Sequence, residues 1–208
     1  MSSRPSAGDA AKRAFDVVAS GAGLLVLAPV FAVLAAFIRA GSPGPVFYRG
    51  VRTGLHGEPF RIYKFRTMVD GAESLGGGTT ALGDPRVTGV GGFLRKYKLD
   101  ELPQLINVFT GDMSLVGPRP ELPRYTNTYS SEERRILSVR PGITDHSSLR
   151  YLSLDQEVGA SQADLNYEQN VLPEKNRLRL RYVDTRTFSG DLVLLVKTVF
   201  RILGKGLE

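Results

Sequence analysis

VVASGAGLLVLAPVFAVLAAFI, running from Val17 to Ile38, contains no charged residue. As a straight helix it would reach roughly 33 Å, enough to span a bilayer core. The run is longer than the roughly 7–15 apolar residues of a secretory signal. No polar face interrupts it, as one would in a helix packed on a soluble core. The stretch therefore predicts membrane attachment, and two topologies fit. One is a plain spanning helix. The other is a re-entrant hairpin bent at Ala28-Pro29, because proline removes a backbone hydrogen bond and clashes with the preceding turn. Cations flank both ends, Lys12 and Arg13 before, then Arg39, Arg49 and Arg52 after. A spanning segment carries positive charge mainly on its cytoplasmic side. Near-equal flanks suit two arms of about 16 Å that dip into one leaflet and return. The pattern alone leaves both topologies open.

Outward from that run, the chain is polar. Its 208 residues are 42% hydrophobic and 23% charged, with 27 Lys+Arg against 21 Asp+Glu. Mean hydropathy is −0.10, an average over a membrane segment and a polar body. The length suits one domain with a sizeable core plus a membrane element. With no cysteine, a disulfide framework, an iron–sulfur cluster and a thiolate zinc site or nucleophile are excluded. Only His56 and His146 could serve a histidine metal site. A formal charge of +6 asks for an anionic partner: nucleic acid, phosphorylated substrate or acidic lipid.

Residues 1–11 are small and polar and are expected to be flexible, 12–40 form the membrane element, and 41–208 form the body. Gly41-Ser42-Pro43-Gly44-Pro45 cannot continue a helix and marks the exit. Val46-Phe47-Tyr48 and Phe60 to Phe65 are β-prone runs around a turn-rich stretch from Thr53 to Pro59, which predicts a small hairpin. Gly76-Gly77-Gly78-Thr79-Thr80 lacks a Walker lysine and reads as a mobile lid or linker. Near the other end, Leu192, Val196, Val199, Phe200 and Leu203 recur at helical spacing, with Lys197, Arg201 and Lys205 on another face. That amphipathic helix suits an anionic membrane surface, or a core contact with a solvated basic side.

Leu94 to Phe109 is again helical in pattern, with Leu102, Leu105, Ile106 and Phe109 on one stripe. Asp100 is a candidate N-cap, which would put Pro103 at the third helical position. The adjacent carboxylates Asp100 and Glu101 would then stand at a helix start, where the dipole and nearby cations keep them ionised. Alternatively, Asp100 merely caps and Glu101 is solvated. The neighbourhood argues for chemistry: Arg95, Lys96 and Lys98 precede the pair, and Gly117-Pro118-Arg119-Pro120 holds one arginine in a rigid turn. Two carboxylates among cations beside a membrane suit a magnesium-bound diphosphate.

The sequence resembles the bacterial sugar transferases, small monotopic phosphoglycosyl transferases. The resemblance rests on Lys64-Phe65-Arg66-Thr67-Met68, Asp84-Pro85-Arg86-Val87-Thr88, Leu94-Arg95-Lys96, Leu99-Asp100-Glu101-Leu102-Pro103-Gln104, Gly111 through Pro120 and Arg140-Pro141-Gly142-Ile143-Thr144. It implies transfer of a sugar-1-phosphate from a UDP-sugar to a polyprenyl (undecaprenyl) phosphate, with release of UMP, as the first membrane step of polysaccharide or glycoconjugate synthesis. It further implies Asp100 as the nucleophile of a covalent phosphosugar intermediate and Glu101 as a ligand of Mg2+. Arg95, Arg119, Lys64 and Arg66 are implied as phosphate-binding, and a re-entrant helix broken at Pro29 is favoured. Three departures stand out: Ala28 replaces the usual serine before the proline, Gly89 and Gly92 replace arginines, and Asp145-His146-Ser147-Ser148 replaces a tryptophan-containing stretch.

The expected fold is α+β and mainly helical: a re-entrant membrane helix, a small β-hairpin, and a compact catalytic domain with amphipathic interfacial helices. It should face the cytosol at the bacterial inner membrane. Expected partners are a UDP-sugar, a polyprenyl phosphate, an anionic phospholipid bilayer and, as an open option, a second copy in a homo-oligomer. Nucleic acid is not expected, since the cations are dispersed and no recognition motif is present. Arg177, Arg179 and Arg181 read as a solvated face or a phosphate-side strand. A noncatalytic membrane scaffold would leave the Asp-Glu pair and the arginine turn unexplained.

Overall fold

The computed structural model describes residues 7–205. Most of the expected flexible N-terminus, residues 1–6, and the last three residues lie outside the described residues. The apolar run lies in α1 (Ala7–Gly41), a helix of 35 residues. The expected helix–break–helix over 12–40 is instead one helix with Pro29 inside it. One missing N–H and one crowded carbonyl can be absorbed by a local bend without ending a helix, and Ala28 and Pro29 are both exposed, with room to do so. The helix stops where Gly41-Ser42-Pro43 forbids another turn.

The way α1 sits on the body matters more than its length. At its start, Lys12 pairs with Asp191 at 2.5 Å, and Arg13 donates to the carbonyls of Val108 and Phe109. Buried Asp16 accepts from the Leu115 N–H at 3.1 Å. Beyond Pro29, Leu34 and Ile38 are buried against Phe65 and Leu94, with Phe31 edge-on to Phe65. Both ends of the helix therefore rest on one body. The opposite face, with Val18, Leu25, Val26, Val33 and Phe37, is exposed and apolar.

The hairpin forms as the sequence predicts. Strands β1 (Phe47–Tyr48) and β4 (Lys64–Phe65) pair antiparallel, as do β2 (Val51–Thr53) and β3 (Pro59–Arg61), so one arm is two short ladders. Helix α2 (Gly89–Lys96) follows, capped by Thr88, whose hydroxyl accepts from the Gly91 N–H. Helix α3 (Gln104–Thr110) packs under α1. A parallel pair that the sequence does not reveal joins β5 (Ser114–Val116) to β6 (Gly142–Thr144). Gly117 and Gly142 make it possible: a Cβ on Gly142 would sit 2.0 Å from the Gly117 nitrogen. Short helices α4 (Pro123–Thr126), α5 (His146–Arg150), α6 (Leu154–Val158) and α7 (Ala163–Asn166) lead to α8 (Leu172–Thr185) and α9 (Phe188–Lys205).

On α9, the stripe Leu192, Val196, Val199, Phe200 and Leu203 is exposed, while Asp191 and Leu194 are buried against the body. The apolar face is thus not a core contact. Lys197 and Arg201 are also exposed; the side chain of Lys205, third in that basic row, lies outside the description. The body is mainly helical with three two-stranded sheets among the described residues.

Candidate active site

Asp100 does not cap a helix. Lys98 adopts a left-handed conformation (φ 57°), and Leu99–Glu101 forms a tight 3-10 turn ahead of Pro103, which takes the N-cap position of α3. Proline, lacking an N–H, favours this entry. The backbone bonds here are of the tighter kind, Leu102 N–H to Leu99 C=O and Leu105 N–H to Leu102 C=O. A left-handed non-glycine residue beside functional groups costs roughly 1–2 kcal/mol. It turns the Asp-Glu pair into a cleft of about 1950 Å³.

All six residues singled out for catalysis or phosphate binding, Asp100, Glu101, Lys64, Arg66, Arg95 and Arg119, line this cleft. Their duties differ. Arg119 donates through Nη2 to Glu101 Oε1, through Nη1 to the Ile143 carbonyl at 3.0 Å, and through its backbone N–H to Asp145 Oδ2 at 3.3 Å. Lys64 Nζ reaches the same Oε1 at 3.2 Å. Both bonds to Glu101 fall on one oxygen. Arg95 is steadied by the Thr67 hydroxyl, 2.8 Å from its Nε. Arg66 is buried and directed elsewhere: its guanidinium donates to the carbonyls of Ser42 and Pro43, tying the membrane-exit turn to β4.

The electrostatics separate the two carboxylates. Burial alone would raise Glu101, but the charges of Arg119 and Lys64 hold it well below the ordinary carboxylate range. Asp100 goes the other way. Burial, then the Glu101 charge, raise its pKa against the opposing pull of Lys64, Lys98 and Arg95. The expected helix dipole is not what acts on Asp100, which precedes α3 by a turn and a proline. Lys64 is lowered by burial to about 8, with Glu101 resisting. The Asp100 Oδ1 oxygen is buried without a hydrogen-bond partner. Such an atom costs about 1–3 kcal/mol unless a ligand satisfies it. Among the described residues there is no cluster of three or more His, Cys, Asp or Glu side chains that could hold a metal. One or two carboxylates with substrate phosphates is, however, a normal magnesium environment. The unpartnered Asp100 oxygen and the unengaged second oxygen of Glu101 fit it.

Sequence reasoning missed the support behind the arginine turn. Glu121, next to Pro120, accepts from Arg179 Nη2 at 2.5 Å, Lys175 Nζ at 3.3 Å and the Tyr167 hydroxyl. Burial would raise Glu121, yet Lys175 and Arg179 hold it well below its usual range, while burial lowers Lys175 to about 8. Arg179 is fully buried on α8, and Arg177 is exposed beside Glu174. The three arginines are thus neither one solvated face nor a strand. The one hint in the sequence was a carboxylate directly after Pro118-Arg119-Pro120. Asp145 also gains a role: fully buried, it accepts from Ser147 and Ser148 and caps α5. Asp84 grips Arg86, which in turn holds the Ala72 and Gly77 carbonyls; hydrogen bonding to Arg86 lowers Asp84 to about 2. With Asp164 accepting from the Gly78 and Thr79 N–H groups, the glycine loop is fastened at several points.

Comparison with known proteins places the chain in a family. Residues 7–205 match the family described as bacterial sugar transferase. The sugar transferase EpsL of Bacillus subtilis is 38% identical over 193 residues, covering 92% of this chain and 87% of that protein. The exopolysaccharide production protein ExoY of Rhizobium meliloti is 36% identical, covering 92% and 85%. The UDP-glucose:undecaprenyl-phosphate glucose-1-phosphate transferase of Caulobacter vibrioides is 36% identical, covering 94% and 70%.

Proposed function

Since the chain belongs to the bacterial sugar transferase family, we propose that it takes a UDP-sugar as donor and passes the sugar-1-phosphate through Asp100 to a polyprenyl phosphate, releasing UMP. It is a phosphoglycosyl transferase for undecaprenyl phosphate in polysaccharide synthesis, in keeping with relatives named for that transfer. The observation that carries the finer reading is the unpartnered, buried Asp100 oxygen beside a Glu101 already neutralised by Lys64 and Arg119.

Two displacements account for the products. An Asp100 oxygen attacks the sugar-bearing phosphorus; the new aspartyl–phosphorus bond forms as the bridging phosphorus–oxygen bond breaks, and UMP departs with the electron pair. A phosphate oxygen of the acceptor then attacks the same phosphorus, forming the lipid diphosphate and returning the Asp100 carboxylate. At about 4 Å and an effective dielectric near 20, each carboxylate–phosphate charge pair costs about 4 kcal/mol. Cations must offset that repulsion. Arg119 and Lys64, held in place by Glu101, and Arg95, held by Thr67, supply fixed positive charge around the leaving and attacking oxygens. Magnesium, bound by Glu101 and Asp100 with substrate oxygens, would add electrophilic charge at the phosphates. The decisive assay is UMP release from a panel of UDP-sugars with undecaprenyl phosphate, with and without magnesium. Metal-dependent release is expected with at least one sugar, and none with any sugar defeats the reading. Glu101→Gln should raise the magnesium concentration needed for half-maximal rate by about tenfold or more. An unaltered requirement would remove Glu101 as a ligand.

The exposed apolar faces of α1 and α9 support attachment to the bilayer, here assigned to the cytoplasmic face of the inner membrane. Contacts of Lys12, Arg13 and Asp16 at one end of α1, and of Leu34 and Ile38 at the other, support a re-entrant course. A spanning helix would have to leave the body to reach the far leaflet. In this cysteine-free chain, Ala10→Cys and Ala40→Cys should both react with an impermeant maleimide from the cytoplasmic side; labelling from opposite sides would mean that α1 spans.

A further inference from the structure

Beyond the charged residues, part of the cleft wall is apolar and comes from α9. Leu195, Thr198, Val199 and Ile202 line it, as do Leu102, just ahead of α3, and Leu105 on α3. The Thr198 hydroxyl is hydrogen-bonded to that of Thr144 at 2.8 Å, which seats α9 on β6 beside Ile143, the residue whose carbonyl holds Arg119. The apolar wall thus leads directly to the cationic end of the cleft. On its other flank, Leu105 approaches α1: a Cβ added at Gly23 would lie 3.2 Å from it. The wall is thus built on α9, with Leu105 reaching toward α1, and the outward residues of the two helices, Leu25 and Val26 on α1 and Val196 and Phe200 on α9, are exposed and apolar.

We propose that Leu195, Val199 and Ile202, with Leu102 and Leu105, form the subsite for the first isoprenoid units of the acceptor lipid, whose phosphate is placed at Arg119 and Lys64. The proposal rests on the transferase reading above. Its occupant follows from the joining of two chemistries. An apolar strip of roughly 10 Å from Leu195 to Ile202 includes Val199, which both lines the cleft and stands on the exposed apolar stripe of α9, while Thr198 seats it beside the strand whose Ile143 carbonyl holds Arg119. A lipid phosphate satisfies both, whereas a nucleotide-sugar has no apolar tail to cover the strip. The arrangement lets the acceptor reach Asp100 without drawing its chain through water, a step whose cost grows with every methylene exposed.

The test uses the full chain in detergent micelles with a UDP-sugar that loads it. Ile202→Asn and Leu195→Asn should accept sugar phosphate onto Asp100 as the unaltered protein does. Their KM for undecaprenyl phosphate should rise about tenfold, with kcat retained. Phe200→Asn, on the outward face of the same helix, should leave that KM unchanged. The subsite is refuted if the inward variants keep the normal KM, or if Phe200→Asn raises it equally, which would mean lost micelle partition. Independently of folding in the variants, a prenyl phosphate carrying a photoreactive group on its first isoprenoid unit should label the α9 segment of the unaltered protein; labelling of α1 alone would overturn the assignment. A chain that loads sugar phosphate from no UDP-sugar would remove the transferase reading, and this subsite with it.

Discussion

Asp100→Asn should abolish both transfer and covalent loading, lowering turnover on the order of 10⁴-fold or more. The amide keeps the size and shape of the side chain, so the turn formed by Lys98 and Leu99–Glu101 should survive. What disappears is the charged oxygen that attacks phosphorus; a neutral amide is a far poorer nucleophile. The measurement is retention of labelled sugar phosphate on denatured protein after incubation with a labelled UDP-sugar, alongside UMP release. Normal turnover by this variant would remove the two-step mechanism. The unaltered protein should also show an acid limb. Attack needs the carboxylate, and burial together with the Glu101 charge raises the Asp100 pKa. Loading should therefore fall off on acidification at a pH above that of an ordinary aspartate.

Arg179→Met should produce the largest loss of stability among single changes to the body, about 3–5 kcal/mol. Its guanidinium is fully buried and divided between Glu121 Oε1 and Asn176 Oδ1. Methionine fills much of the space but leaves the Glu121 carboxylate in the interior without one of its two cationic partners. The melting temperature should drop on the order of 10 °C. Arg181→Met, two residues along the same helix and exposed, should change stability by less than about 0.5 kcal/mol. Equal shifts for the two variants in thermal unfolding would mean that the Glu121 cluster is not a stabilising centre. Because Glu121 follows Arg119 across a single proline, the loss should also loosen the arginine turn.

How much of this could be read in advance depends on the range of each interaction. The long apolar helix was legible because an uncharged run of that length is recognised without reference to any distant partner. The hairpin was legible because turn chemistry from Thr53 to Pro59 acts on its immediate neighbours. Asp100 and Glu101 were legible as an adjacent pair, and both line the cleft, but the local geometry was not legible. The N-cap expected at Asp100 gave way to a left-handed Lys98 and an N-cap at Pro103. Arg66 stands in a motif with Lys64, yet it ties down the membrane-exit turn. Lys12 and Arg13 looked like flanking charges for the lipid surface; they are engaged by Asp191 and by the end of α3.

By itself, the sequence determined an uncharged run long enough for a bilayer, a net positive charge that calls for an anionic partner, and the absence of thiol chemistry. Those properties follow from composition and from patterns a few residues long. Tertiary structure alone decided that α1 continues through Pro29 and lies with both ends on the body, and that β5 pairs with β6 through glycines where no side chain would fit. It also decided that Glu121 meets an arginine 58 positions away. Such pairings depend on the chain's return path through space, and no local periodicity or turn preference encodes which distant partner will arrive.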